Sequence, residues 1–157
     1  MLSRKEPPLE ALETFLPFCH AALRHASERQ RLEAVLVRWA TAWQGPSRVL
    51  EFTRSHHGAY LHFNQLIGTT WCQVCTFHAA PRRGVSMRGP DPDRIRKSHK
   101  LRRHPLDRGP LDRVFEAWSA HPEARPAGNA LEFILEEVPD EVWAACLKEA
   151  LEALGPR

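Results

Sequence analysis

Residues 48–78 read RVLEFTRSHHGAYLHFNQLIGTTWCQVCTFH. Three runs within them, 48–54, 59–67 and 70–78, are rich in β-branched and aromatic residues, and His56-His57-Gly58 and Gly68-Thr69 separate them. That is the chemistry of antiparallel strands joined by tight turns. Gly68-Thr69 suits a two-residue type II′ turn, with glycine at the first central position. It sets Ile67 opposite Thr70, Phe63 opposite Val74, His62 opposite Cys75 and Tyr60 opposite Phe77. A turn at His57-Gly58 similarly sets Phe52 opposite Phe63 and Glu51 opposite Asn64.

Strand side chains alternate between faces, so these registers divide the sheet. Leu50, Phe52, Leu61, Phe63, Ile67, Cys72 and Val74 share a core face. Glu51, Thr53, His62, Asn64, Gln73 and Cys75 share a polar one, bordered by Val49, Leu66 and Trp71 at one end and by Tyr60 and Phe77 at the other.

On either side the apolar period changes to that of helices. Leu12, Phe15, Leu16, Cys19 and Leu23 lie at helical spacing, and Leu32, Val35, Leu36, Trp39 and Trp43 repeat the pattern. A polar interval at 24–31, with Ser27 and Gln30 at capping-box spacing, breaks the region into two helices. Gly45-Pro46-Ser47 ends it. After the strands, residues 79–110 hold five prolines and three glycines and read as a long loop or arm. Three further helical stripes follow: Leu111, Val114, Phe115 and Trp118; then Leu131, Ile134, Leu135 and Val138; then Trp143, Leu147, Ala150, Leu151 and Leu154, opened by Pro139 and closed by Gly155. The expected fold class is α+β, a single domain over 1–157. It has N-terminal helices (7–44), a three-stranded antiparallel sheet (48–78), a long basic loop (79–110) and acidic C-terminal helices (111–155).

The 157 residues, 43% hydrophobic and 26% charged, suit one domain with an ordinary core. The sequence has no apolar run long enough for a membrane span and no secretion signal at its start, so a cytoplasmic location without membrane partners is expected. Four scattered cysteines do not make a disulfide scaffold. Abundant arginine, proline, alanine and leucine with two asparagines suggest a GC-rich bacterial genome.

The formal net charge of +3 conceals a strong asymmetry. Residues 81–108 carry ten basic groups against three acidic ones, whereas residues 109–157 carry four against ten. The basic groups are Arg82, Arg83, Arg88, Arg94, Arg96, Lys97, Lys100, Arg102, Arg103 and Arg108. Guanidinium forks match phosphate oxygens two at a time, so the segment is expected to hold nucleic acid, DNA or RNA, by its backbone. Tyr60 on the sheet supplies a ring for stacking bases, and His62 a group to read their edges. A second class of function is a protein-binding adaptor or inhibitor that presents the acidic C-terminal helices to a basic partner. The plainer alternative is the solvated outside of ordinary amphipathic helices.

Metal chemistry is the third class. Cys72-x-x-Cys75 with His99 and His104 has two zinc-like short spacings but a central gap far longer than a zinc finger's, and Cys72, Cys75 and His78 form a variant set. Opposite-facing strand cysteines would not converge, so no cofactor is expected and zinc is the exception to test. A nucleophile pair of Cys75 with His62, or a water activated by His56 and His57, would make a small metal-dependent hydrolase or nuclease. Glu51 is the sole carboxylate in that stretch and no phosphate loop or nucleophile elbow occurs, so an enzyme is the weaker expectation.

Overall fold

The computed structural model describes residues 8–91 and 108–155. Two helices, α1 (Pro8–Ala22) and α2 (Ala26–Ala42), precede four strands: β1 (Arg48–Ser55), β2 (Gly58–Ile67), β3 (Thr70–Ala80) and β4 (Gly84–Arg88). Helix α3 (Gly109–Ser119) follows, then β5 (Arg125–Ala127), β6 (Ala130–Ile134), a 3-10 turn (Leu135–Glu137) and α4 (Asp140–Leu154). The strands form one antiparallel sheet in the order β1-β2-β3-β4-β6-β5. The α+β class and the helix–sheet–helix order hold, but the sheet has six strands, not three.

The additional strands come from two misread stretches. Gly84–Arg88 lies inside the expected basic loop, yet Val85 and Met87 alternate inward with 2% and 0% exposure. Ala130–Ile134 lies where a helix was expected. The apolar residues 131, 134, 135 and 138 fit a helical stripe, but Gly128-Asn129 makes a tight turn with positive φ at glycine, and β5 and β6 pair across it. Phe133, outside the expected stripe, is fully buried.

Both hairpin registers differ from the expected ones. β1 and β2 pair Ser55 with Gly58, so His56-His57 forms the turn, and Phe52 faces Leu61 rather than Phe63. The shift is two residues, so no side chain of β1 changes face. Gly58 sits at φ 140°, and a Cβ there would run into the Ala79 carbonyl oxygen. Between β2 and β3 the Gly68-Thr69 turn is as expected, with Ile67 opposite Thr70. Past Asn64–Gln73, however, Phe63 pairs with Cys75, leaving Val74 as the extra residue of a β-bulge. From there the alternation of β3 is inverted. Cys75 and Phe77 turn into the core instead of joining the polar face, while Thr76 and His78 take the outward places.

The helices pack on the face that carries Leu61, Phe63, Phe77 and Phe133. Trp39 of α2 is the hub, 1% exposed. Its ring meets Phe63 and Phe77 edge-on at 5.6 and 5.4 Å and lies 6.2 Å from both Trp118 of α3 and Trp143 of α4. Such aromatic pairs contribute about 0.5–1.5 kcal/mol each beyond area burial. Two guanidiniums tie the ends of the chain together. Arg31 of α2 donates to Asp140 at 2.6 Å and to the carbonyls of Leu135 and Val138. Arg48 of β1, 7% exposed, donates to Gln65 Oε1 at 2.8 Å and to the Gly155 carbonyl at 2.6 Å, with its charge 5.4 Å from the Trp43 ring centre.

Candidate functional site

Among the described residues, every helix lies against one face of the sheet, and the opposite face is polar and partly solvated. The registers place one residue of each strand in a continuous transverse row: Glu51, His62, Thr76, Arg88, Glu132 and Arg125. A second row contains Thr53, Tyr60, His78 and Ser86. At a strand spacing of about 4.8 Å the first row spans roughly 24 Å.

His62 lies at the middle of a side-chain chain. Its Nε2 is 2.7 Å from the Thr53 hydroxyl and its Nδ1 is 2.9 Å from the Thr76 hydroxyl, which in turn donates to Gln73 at 3.1 Å. Because the Thr76 hydroxyl gives its one proton to Gln73, it accepts from His62 Nδ1–H, and the Thr53 hydroxyl donates to Nε2. Asn64 donates to Glu51 at 3.4 Å. Tyr60 stacks on His78 with ring centres 4.4 Å apart and planes within 6°, and His62 lies parallel to it at 6.0 Å. The three rings therefore form one ladder of parallel planes, with the Tyr60 and His78 faces in contact.

His78 is held below its ordinary pKa of 6.5. Burial is the main cause and the Arg88 charge adds to it, against the raising effect of the hydrogen bond its ring N–H donates to the His57 carbonyl at 3.3 Å. Arg88 itself is 60% exposed and stands 3.9 Å from Glu132, a pair too loose and too wet to hold the guanidinium away from a better anion. At the far end of the same face Trp71 and Val49 are exposed by 49% and 42%, next to Leu66 and Asn64.

The structure thus gathers Tyr60, His62 and Arg88 on one surface. Arg82 and Arg83 are exposed in the β3–β4 turn, where Arg82 takes a positive φ of 66°. Arg94, Arg96, Lys97, Lys100, Arg102 and Arg103 lie outside the described residues, as do His99 and His104. His78, Thr76 and Ser86 join the site without having been expected there, because the bulge at Val74 has no signature in the sequence.

The cysteine readings are corrected. Cys72 and Cys75 are each 2% exposed and both face the core, whereas His78 points to the open face, so these three do not converge. Burial raises the Cys72 thiol to about 11 and holds Cys75 well above its ordinary value, which keeps both protonated and poorly nucleophilic. His62 opposes Thr76, not Cys75, so the nucleophile–base pair is absent. Another concavity, about 430 Å³ between α2 and α4, is lined by Arg31, Arg38, Trp39, Asp140 and Trp143 and shares no residue with the sheet face. Among the described residues no helix is long and apolar enough to cross a membrane. No protein-family model matches the chain, and neither does any curated protein or solved structure.

Proposed function

We propose that the protein binds nucleic acid across the open face of its sheet, with the arginine-rich segment supplying the phosphate contacts. The observation that carries this reading is the polar sheet face, open among the described residues, on which Arg88 at the end of β4 lies with the Tyr60, His62 and His78 rings. Arg94 is six positions on from Arg88, so the chain between the first residue of the stretch and the end of β4 spans at most roughly 20 Å. Arg82, Arg83 and Arg88 with Arg94, Arg96, Lys97, Lys100, Arg102 and Arg103 contact phosphates. The outer face of the ring ladder and Trp71 offer platforms for unpaired bases, and His62, Asn64 and Gln73 face base edges. Phosphate contacts position the strand and carry no sequence information, so any discrimination falls to the sheet side chains.

Fluorescence anisotropy with labelled single- and double-stranded DNA and RNA, at about 50 and about 200 mM salt, tests the reading. Five or six phosphate contacts predict a loss of at least tenfold across that range, and Arg102→Ala with Arg103→Ala lowers the slope of log affinity against log salt by about one to two. Trp71→Ala weakens single strands more than duplexes. Absence of binding at the lower salt overturns the proposal. The exposed Trp71–Val49 end and the carboxylates of Glu51 and Glu132 then favour the second reading, a docking face for a protein partner.

A further inference from the structure

Away from the sheet face, the turn that follows α3 packs against α4 and brings together side chains the nucleic-acid reading does not use. His121 Nε2 lies 2.9 Å from Glu149 Oε1, and these atoms and Cys146 Sγ all fall within 4.8 Å of one another. Cys146 and Glu149 are three apart on α4, so helical geometry puts them on one side of it. The turn itself is fixed from both ends. His121 N–H donates to the Trp118 carbonyl, Ala124 N–H donates to the His121 carbonyl, and the Trp118 indole donates to the Cys146 carbonyl at 2.9 Å. The imidazole is therefore held over the thiol by backbone, not by a loose loop.

The cluster is rich in electron-pair donors and poor in protons. His121 can supply one N–H, and Glu149 takes it. Glu123, two residues on, has a carboxylate oxygen with no hydrogen-bond partner and essentially no solvent contact. An unpaired buried carboxylate oxygen is costly unless a cation shares its site.

We propose that His121, Cys146 and Glu149 supply three donors to one zinc-class divalent ion, with solvent at the fourth position. Imidazole nitrogen, thiolate sulfur and carboxylate oxygen are the set a borderline cation takes in tetrahedral coordination. The thiol proton leaves for solvent as the ion enters, and the His121 N–H shifts to the ring nitrogen that does not bind the ion. Side-chain exposures of 19% at His121 and 30% at Glu149 leave a path from solvent, while Cys146 is fully buried. The bound ion clamps the α3–β5 turn onto α4.

The test is titration of chelator-treated full-length protein with cobalt(II), a spectroscopic stand-in for zinc. The expected result is about one ion per chain, a thiolate-to-cobalt charge-transfer band, and loss of that band on zinc addition. Cys146→Ser abolishes the band and Cys75→Ser leaves it, which separates this site from the Cys72/Cys75 pair. Because Cys146 is buried and its serine variant could misfold, His121→Asn and Glu149→Gln at the half-exposed positions provide the second arm. Each is expected to weaken cobalt binding at least tenfold, with circular dichroism unchanged. No thiolate band in the unaltered protein, or a band that survives in Cys146→Ser or in both other variants, overturns the proposal.

Discussion

His78 carries the clearest single-residue consequence for pH. Its folded pKa is depressed below 6.5, chiefly by burial, so below that pH the unfolded chain binds the proton more readily than the native one. The contribution of His78 to stability is therefore complete above pH about 6.5 and is lost as pH falls from there towards the lowered folded value. Denaturant unfolding at pH about 7.5 and about 5.5 measures the effect. His78→Gln is expected to shrink the difference between the two midpoints, and an unchanged difference would assign it to other groups. The same substitution removes the stacking partner of Tyr60 at 4.4 Å and frees one face of the phenol ring.

Among the elements, β6 is the most informative. Burial along Ala130–Ile134 gives Phe133 to the core at 0% exposure and leaves Ile134 half-exposed, the reverse of the helical stripe expected there. Phe133→Ala is expected to cost about 3–5 kcal/mol and Ile134→Ala about 1 kcal/mol or less in chemical denaturation. Equal costs would favour the helical reading. What could be read from the sequence divides along the same line. The α1–α2 break, the strands β1 to β3 and the helix opened by Pro139 all carry long apolar periods, and all are present. The five-residue strands β4 and β6 are too short for periodicity to stand out against an arginine-rich and a helix-like context. One signal was available: Gly128-Asn129 places glycine first in a two-residue turn, as Gly68-Thr69 does. The Val74 bulge had none. It answers the need of Cys75 and Phe77 for the core, a tertiary demand no local pattern records. For that reason Tyr60 and His62 were legible as open-face residues, and His78 and Thr76 were not.

At the scale of the whole molecule, two arginines join segments more than a hundred residues apart in sequence. Arg48→Ala is expected to lower stability by about 2–3 kcal/mol, since the Gly155 carbonyl and Gln65 both lose their donor in a partly or fully buried setting. Arg48→Lys recovers little, because an ammonium cannot reproduce the fork that reaches both acceptors. Thermal unfolding of the two variants checks this, and a lysine variant as stable as the unaltered protein would count against the fork geometry.

The reach of Arg48 to Gly155 also bears on how the chain is made. A polypeptide emerging from the ribosome exposes β1 long before it exposes the end of α4, so for most of synthesis the β1 guanidinium lacks its carbonyl and Arg31 lacks Asp140. The Arg48 tie to the Gly155 carbonyl forms only when the last turn of α4 arrives. Nascent chains halted before residue 140 should thus be more protease-sensitive than chains halted well beyond residue 155.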